Sequence, residues 1–600
     1  MFQTFTASAR PEQGPPRLAA LRAVMAAEEI DIFLVPRADA HQGEYVAERD
    51  ARLAWLTGFT GSAGFAAILA DRAGVFIDGR YRTQVKSQVA AEFTPVPWPE
   101  TGLADWLVEV MPDGGNLGFD PWLHTVDEIE LLATRLGPMG FTLVAIDNLV
   151  DRIWDDQPAP PSAPFTLWPA EFAGESADDK RARIGALVAK AGADVAVLTS
   201  PDSIAWLLNI RGRDVERNPV TQAFALLHKD GAVDLFAHAG KADDVAAHLG
   251  NAVRLFDTED FLTEVAGCEG TVLLDRKSAP EVVLQALLAG EVEVIFGEDP
   301  CLLPKARKNP TEIKGMRSAH LRDAAAMVNF LAWVDETCPN GTETEISVVT
   351  ALEGFRRATN QLLDISFETI CGAGSDGAIV HYRVTEETDR PVKTGELLLV
   401  DSGAQYIDGT TDITRTVTIG TPPAGAADAY TRVLKGMLAI HRVRFPRGVT
   451  GANLDSLARY PLWLAGLDYD HGTGHGVGVY LSVHEGPQRL SRVSHIPLQE
   501  GMILSNEPGY YREGAFGIRI ENLIVVRAAA PVAGGDAQRQ WLDFENLTYV
   551  PFDRRLIDVS LLDQGERDWI NAYHAEILSR IAPLVEGKVQ DWLSAACAPL

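Results

Sequence analysis

Apolar residues in the first part of the chain follow two alternating rhythms. Leu18, Leu21, Val24 and Met25 recur at helical spacing across 17–27, and the run at 30–35, closed by Pro36, has the length and β-branched content of a buried strand. Apolar runs at 65–69 and 75–77 follow, joined by the turn-forming Asp71-Arg72-Ala73-Gly74. The pattern predicts an α/β unit containing a hairpin.

The same order of signals returns after Pro158-Ala159-Pro160-Pro161-Ser162-Ala163-Pro164, a composition that marks a boundary. A helix at 184–191 leads into a strand at 194–198, Ala205-Trp206-Leu207 echoes Ala54-Trp55-Leu56, and apolar runs at 223–227 and 233–236 flank Asp230-Gly231. These echoes are read as two tandem, related α/β domains, 1–157 and 165–307. Asp31 to Trp55 spans 24 positions whereas Asp194 to Trp206 spans 12, so the first copy carries an extra loop. Such a loop either decorates the scaffold or reaches over a neighbouring active site.

A third domain, 308–600, opens on Asn309-Pro310-Thr311-Glu312, where Asn caps a helix, Pro takes its first position and Glu bonds back to the cap. Leu321, Ala324, Val328, Leu331 and Val334 continue that helix as an apolar stripe. Further on, the strand-like run 367–370 enters Cys371-Gly372-Ala373-Gly374-Ser375-Asp376-Gly377, which fits GxGxxG. Only Ala378-Ile379-Val380 then precedes His381, too little for the helix a dinucleotide site requires, so the stretch reads as a glycine turn delivering His381. A strand at 397–400 ends in Asp401, and Asp408-Gly409 turns the chain back through 411–417. Alternation puts Ile413, Val417 and Ile419 on one face and Asp412, Thr414 and Thr416 on the other. Ile503-Leu504-Ser505 runs into Asn506-Glu507-Pro508-Gly509, and across 517–521 Arg519 and Glu521 share the face opposite Ile518 and Ile520.

Composition narrows the function classes. A 600-residue chain divides into three or four domains on the usual prior of ~150 residues each. Its 53 Lys and Arg against 83 Asp and Glu give a net charge of -30, which disfavours nucleic acid and suits small ligands or cationic peptide N-termini. The five cysteines are scattered and lack a CxxC, as expected for reduced thiols in a cytoplasm. No apolar run approaches the ~18 residues of a membrane span, and residues 1–10 lack the apolar core of a signal peptide, so a soluble cytoplasmic protein is expected.

The chemistry concentrates in 400–521, which supplies Asp401, Asp412, His475, Glu507 and Glu521. Four carboxylates and one imidazole suit a pair of divalent cations, oxygen ligands for Mn, Mg or Ca and the imidazole for a transition metal. Either aspartate alone reads as a turn or cap; two on adjoining strands with a shared polar face read as ligands. His471 and His475 have the i, i+4 spacing of a helical zinc motif, but the glycines of His471-Gly472-Thr473-Gly474-His475-Gly476-Val477-Gly478 oppose a helix and no Glu follows His471. Those glycines instead let backbone pass close to metal or substrate.

The five residues match, in order and context, the metal ligands of the pita-bread metallopeptidases, the family that includes methionine aminopeptidase, prolidase and aminopeptidase P. His381-Tyr382-Arg383-Val384-Thr385, the run 400–416, 471–478, Val483-His484-Glu485-Gly486-Pro487 and 505–511 resemble the three-domain, cytosolic type of aminopeptidase P. The runs 56–64, 78–81 and 209–219 extend the resemblance to nearly the whole chain. It implies a C-terminal pita-bread domain after the two α/β domains. It also implies two divalent ions, most simply Mn(II), and hydrolysis of the bond before proline in Xaa-Pro peptides by a hydroxide bridging the two ions. Asp401 would bind one cation, Asp412 and Glu521 both, and His475 and Glu507 the other. Glu507 would also shuttle the proton, while His381 and His484 stabilise the reacting carbonyl. Arg80, His471 and His475 would complete the peptide site, and Arg519 would orient the ligands. The resemblance further implies a homodimer. Prolidase, confined to dipeptides, is the close alternative, and a non-catalytic peptide-binding protein on the same fold is the remote one.

Overall fold

In the computed structural model, which describes residues 1–600, the apolar runs of the first half become two sheets. β1 (Ile32–Pro36), β2 (Phe65–Leu69), β3 (Ala73–Ile77), β4 (Thr94–Pro97), β5 (Gly115–Phe119) and β6 (Phe141–Ala145) are ordered β4-β3-β2-β1-β5-β6. β7 (Val195–Leu198), β8 (Phe224–His228), β9 (Val233–Phe236), β10 (Val253–Phe256), β11 (Thr271–Leu274) and β12 (Glu293–Phe296) are ordered β10-β9-β8-β7-β11-β12. In each sheet the central strand, β1 or β7, pairs antiparallel with the hairpin strand and parallel with the crossover strand. The outer couples are parallel in both. One topology is thus laid down twice, as the echoes in the sequence predict. β7 is buried throughout, and the helix Gly14–Ala27 buries Leu18, Leu21 and Met25 in the core that holds Phe33 and Val35 of β1.

Both sheets lie in one compact unit, Ser8–Leu302. The extra loop after β1 turns back into this unit. Asp39 accepts from the N–H groups of His41 and Gly43, each at 3.0 Å, and from Gln222 Nε2 at 3.0 Å. His41 Nδ1 lies 3.0 Å from the Thr199 carbonyl, and its ring stacks on Phe224 with centroids 4.4 Å apart. The loop therefore brackets the second sheet to the first.

The other unit comprises Leu303–Leu600 with Met1–Ala7. The sequence reading places those first seven residues in the N-terminal domain; in the structure Phe2 N–H donates to Glu353 at 2.9 Å, and Thr369 N–H donates to the Gln3 side chain at 2.8 Å. These are polar contacts that no hydrophobic rhythm announces. α1 (Pro310–Thr337) starts on the expected capping box and buries Ala324, Val328, Leu331 and Val334. α2 is Glu345–Arg357.

β13 (Asp364–Ile365), β14 (Ile370–Ala373), β15 (Leu397–Ser402), β16 (Ala404–Tyr406), β17 (Gly409–Thr410) and β18 (Ile413–Thr418) make two small sheets, β13-β16-β17 and β14-β15-β18. The strand expected at 367–370 begins instead at Ile370, because pairing of Ile370 with Asp401 and Ala373 with Leu398 sets its position. The glycine stretch after it is a 3-10 turn, Gly374–Ala378, with no nucleotide-binding helix. β19 (Phe445–Pro446), β20 (Gly474–Gly476), β21 (Glu485–Leu490), β22 (Ile503–Asn506), β23 (Gly509–Arg512), β24 (Phe516–Arg519), β25 (Asn522–Ala528) and β26 (Trp541–Asn546) are the unit's remaining strands. They form the sheet β19-β26-β25-β22-β20-β21 and the hairpin β23-β24. No helix is long and apolar enough to cross a membrane.

Candidate metal centre

Two sheets deliver the acidic residues. Asp401 is in β15 opposite Thr414 of β18, and Asp412 precedes β18 in the return of the same hairpin. His475 is in β20, Glu507 follows β22, and Glu521 stands between β24 and β25. The polar face read from alternation in β18 is buried, with Thr414 and Thr416 fully enclosed. That face is satisfied across the sheets: Thr414 Oγ1 donates to Glu521 Oε2 at 2.8 Å, and Thr416 Oγ1 donates to the Arg519 carbonyl at 3.0 Å.

Their donor atoms converge. One ligand atom each from Asp401, Asp412 and Glu521 lies within 4.8 Å of the others, as does one each from His475, Glu507 and Glu521. A third such group joins Asp412 and His475 with His484. His475 Nε2 lies 3.4 Å from Asp412 Oδ2 and 3.4 Å from Glu507 Oε1, while its Nδ1 faces the Gly476 carbonyl at 2.8 Å. Nε2 is therefore the nitrogen turned to the cluster. The His484 ring stands 4.2 Å from that of His475 at 73°.

Two observations fit this donor set to cations. Asp401 Oδ1 and Glu521 Oε1 are buried acceptors with no hydrogen-bond donor, an arrangement costly unless a cation fills the gap. Burial, together with the neighbouring Asp412 and Glu507 and against the Arg519 charge, pushes the Asp401 carboxyl up to about 6. Burial likewise raises Glu507, against the opposing pull of His475, and raises Glu521 well above the usual range with Asp412 and Glu507 beside it. For His475 burial works downward, but Asp412 and Glu507 win and raise it to about 9. Four carboxylates carry the charge that two divalent ions neutralise.

Supporting contacts hold Asp401, His475 and Glu507 in place. Arg519 donates through Nε at 3.1 Å and Nη2 at 2.6 Å to Asp401 Oδ2, and through Nη1 at 2.6 Å to the Tyr511 hydroxyl. That hydroxyl lies 2.9 Å from His471 Nε2, and His471 Nδ1 faces the Gly472 carbonyl at 2.8 Å, so both ring nitrogens are engaged by the protein. Ser505 Oγ accepts from His475 N–H at 2.9 Å and donates to Glu507 Oε1 at 3.1 Å. The Glu507 N–H donates to Thr473 O at 2.8 Å. Behind the aspartate hairpin, buried Asp323 of α1 accepts from Arg356 of α2 at 2.9 and 3.0 Å, from Tyr406 at 2.9 Å and from Thr411 at 3.1 Å.

The other expected residues fall in two places. His381 is half-buried just after the glycine turn, beside Tyr382, whose hydroxyl donates to Glu345 at 2.9 Å. Arg80 belongs to the Ser8–Leu302 unit and pairs with Asp78, Nη2 to Oδ2 at 2.7 Å. Thr414, Ser505, Tyr511, Asp323 and Arg356 escaped the sequence reading. Ser505 and Tyr511 lie inside the 505–511 run and Thr414 on the Asp412 face, so position held a signal for these three and none for Asp323 and Arg356.

Residues 314–528 match metallopeptidase family M24, and 540–600 match the C-terminal region of that peptidase family. Residues 17–153 and 156–312 each match a creatinase/prolidase N-terminal domain. The chain is 40% identical to Aminopeptidase P2 of Arabidopsis thaliana, over 95% of this chain and 86% of that one. It is 39% identical to a Probable Xaa-Pro aminopeptidase P of Laccaria bicolor, over 97% of this chain and 93% of the relative. Its fold matches the crystal structure of the X-prolyl aminopeptidase of Caenorhabditis elegans, a cytosolic enzyme with a di-nuclear active site, with a TM-score of 0.93, 32% identity and coverage of 98% of this chain and 100% of that one. An Xaa-Pro dipeptidase from Bacillus anthracis, with a TM-score of 0.51 and 24% identity over 63% of this chain, shares the fold alone.

Proposed function

The chain belongs to metallopeptidase family M24, and from that premise we propose that it is an Xaa-Pro aminopeptidase, releasing the N-terminal residue of peptides whose second residue is proline. The observation that carries this reading is the coincidence of a whole-chain likeness to such enzymes with a complete, convergent set of five ligand side chains. A peptide-binding protein on the same fold has no need for buried acceptors without donors at Asp401 and Glu521.

In this reading Asp401 would hold one cation, His475 and Glu507 the other, and Asp412 and Glu521 would serve both. A bound pair of divalent ions supplies Lewis acidity and an activated water at neutral pH. Glu507 would take a proton from the attacking water and return it to the departing nitrogen. His484, beside His475, and His381 donate to the substrate carbonyl and to the oxyanion that replaces it. Arg519 fixes Asp401 and stabilises its charged form. With both its ring nitrogens engaged, His471 meets the peptide through its ring and steadies Tyr511. Proline's nitrogen carries no N–H, so a site that asks for no donor there selects the ring by shape.

The oxygen-rich donor set favours Mn(II) as the working metal. The five cysteines are not joined in disulfides, which supports a reducing, cytoplasmic setting. Leu457, Tyr460, Trp463, Leu464 and Val493 form exposed apolar positions at one helix end and the loop after β21, which supports a homodimer.

The reading is tested with Mn(II)-loaded protein and three peptides, Ala-Pro-Phe, Ala-Pro and Ala-Ala-Phe, with products identified by mass spectrometry. Release of Ala from Ala-Pro-Phe with Ala-Ala-Phe left intact is expected. Cleavage of Ala-Pro alone would make the protein a prolidase, and equal cleavage of Ala-Ala-Phe would remove the proline argument.

A further inference from the structure

Arg415 of β18 is a fully enclosed guanidinium with no carboxylate partner. Its Nη1 donates to the carbonyls of Glu521 at 2.6 Å and Thr414 at 2.9 Å. Nη2 donates to Asn522 Oδ1 at 2.8 Å, Val550 O at 2.7 Å and the Tyr573 hydroxyl at 3.2 Å, and Nε donates to Pro551 O at 3.2 Å. Every acceptor is neutral. A buried cation of this kind is costly to the fold unless its charge and its donors are used.

The contacts reach both glutamates of the centre. Asn522 follows Glu521 and is the cross-strand partner of Asn506, which precedes Glu507. Asn522 Nδ2 donates to Asn546 Oδ1 at 2.9 Å and to the Tyr573 hydroxyl at 3.1 Å. His441 closes the circuit. Its Nε2 lies 3.1 Å from Asn546 Oδ1, and its Nδ1 lies 2.7 Å from Asn506 Nδ2. Burial keeps this imidazole neutral, which fits one ring nitrogen donating and the other accepting. The Tyr573 hydroxyl lies 3.0 Å from the carbonyls of both Thr548 and Val550, its single proton shared between them. Tyr573 lies in the helix Gln564–Ile581, far along the chain from any ligand.

We propose that Arg415 and Tyr573 are positioning residues for the metal centre, through which residues 548–573 become a working part of it. They hold the backbones at Glu507 and Glu521 in the spacing that two cations require, and the Arg415 charge offsets repulsion within the carboxylate cluster. The inference rests on the dimetal reading above and assigns a role to the C-terminal region that packing alone does not supply.

The test uses full-length, chelator-stripped wild type, Arg415→Lys and Tyr573→Phe, held well below their unfolding midpoints. Mn(II) binding is measured by equilibrium dialysis with metal analysis, beside kcat and KM on Ala-Pro-Phe. Arg415→Lys keeps the charge and loses the fork; Tyr573→Phe removes one oxygen. In both, Mn(II) affinity for at least one ion falls by about tenfold or more, the range for residues that orient metal ligands, and kcat falls while KM holds. If Arg415→Lys does not fold, Tyr573→Phe decides. Folded variants that bind two ions as wild type does, losing only thermal stability, overturn the inference alone. A wild-type chain that binds fewer than two ions overturns the dimetal reading and this inference with it.

Discussion

At Glu521 one carboxylate oxygen accepts from Thr414 while the other is buried without a donor, and Asp412, Glu507 and Asp401 press on it from nearby. Side chains in that condition take up protons when no cation is present. Raised values on Asp401, Glu507, Glu521 and His475 all point the same way, since each group is more protonated in the empty centre than in water. Metal must displace those protons, so affinity strengthens as pH rises toward about 9, the His475 value. Calorimetric Mn(II) titrations at pH 7 in two buffers of different ionisation enthalpy should show proton release; identical heats would contradict it. Asp412 faces His475 at 3.4 Å and belongs to two of the three converging groups. Asp412→Ala should therefore lose turnover by orders of magnitude and bind fewer ions, yet still fold. A folded variant keeping half of wild-type turnover and metal content would rule out the proposed bridging role of Asp412. At this scale the convergence of the five candidates was legible because two aspartates on adjoining strands share a polar face, although either alone reads as a turn or cap. Thr414 and Tyr511 were not legible as partners, because a hydroxyl's bond is set by what folds against it.

Elements show a different balance. The capping box at Asn309 was readable because its parts are adjacent in sequence and bond locally. β14 was misplaced because its ends are set by pairing with β15 and not by propensity. The hairpin of β15 and β18 hangs on the buried Asp323–Arg356 pair, whose guanidinium also donates to Gly403 O at 3.3 Å and Ser402 O at 3.4 Å. Asp323→Leu leaves that guanidinium buried without its carboxylate, which costs about 3–5 kcal/mol. Urea unfolding should show a loss of that size; a loss under 1 kcal/mol would mean that the hairpin is held by its β-ladder alone.

The molecule as a whole repeats one sheet topology and then turns to the unit that gathers the candidate ligands. The repeat was legible in the Ala-Trp-Leu echo, whereas the seven residues at the start gave no sign of joining the other unit. Stability of the chain should depend on pH through His574, fully buried and held down to about 3 by burial and by Arg554. Below the ordinary histidine value the unfolded chain takes a proton that the folded chain refuses, so stability falls as pH drops from ~6.5 toward the folded value. His574→Gln should flatten that slope by about 1.4 kcal/mol per pH unit near pH 5, measured by denaturant unfolding against wild type; parallel slopes would contradict it. The central claim is that five side chains hold two ions and that those ions make the protein a peptidase acting before proline. Titrating stripped protein with Mn(II) while following release of Ala from Ala-Pro-Phe tests it most directly. Activity that is absent without metal and rises to a plateau at two ions per chain is the expected result. Full activity in the stripped protein, or saturation with no metal bound to it, would contradict the account.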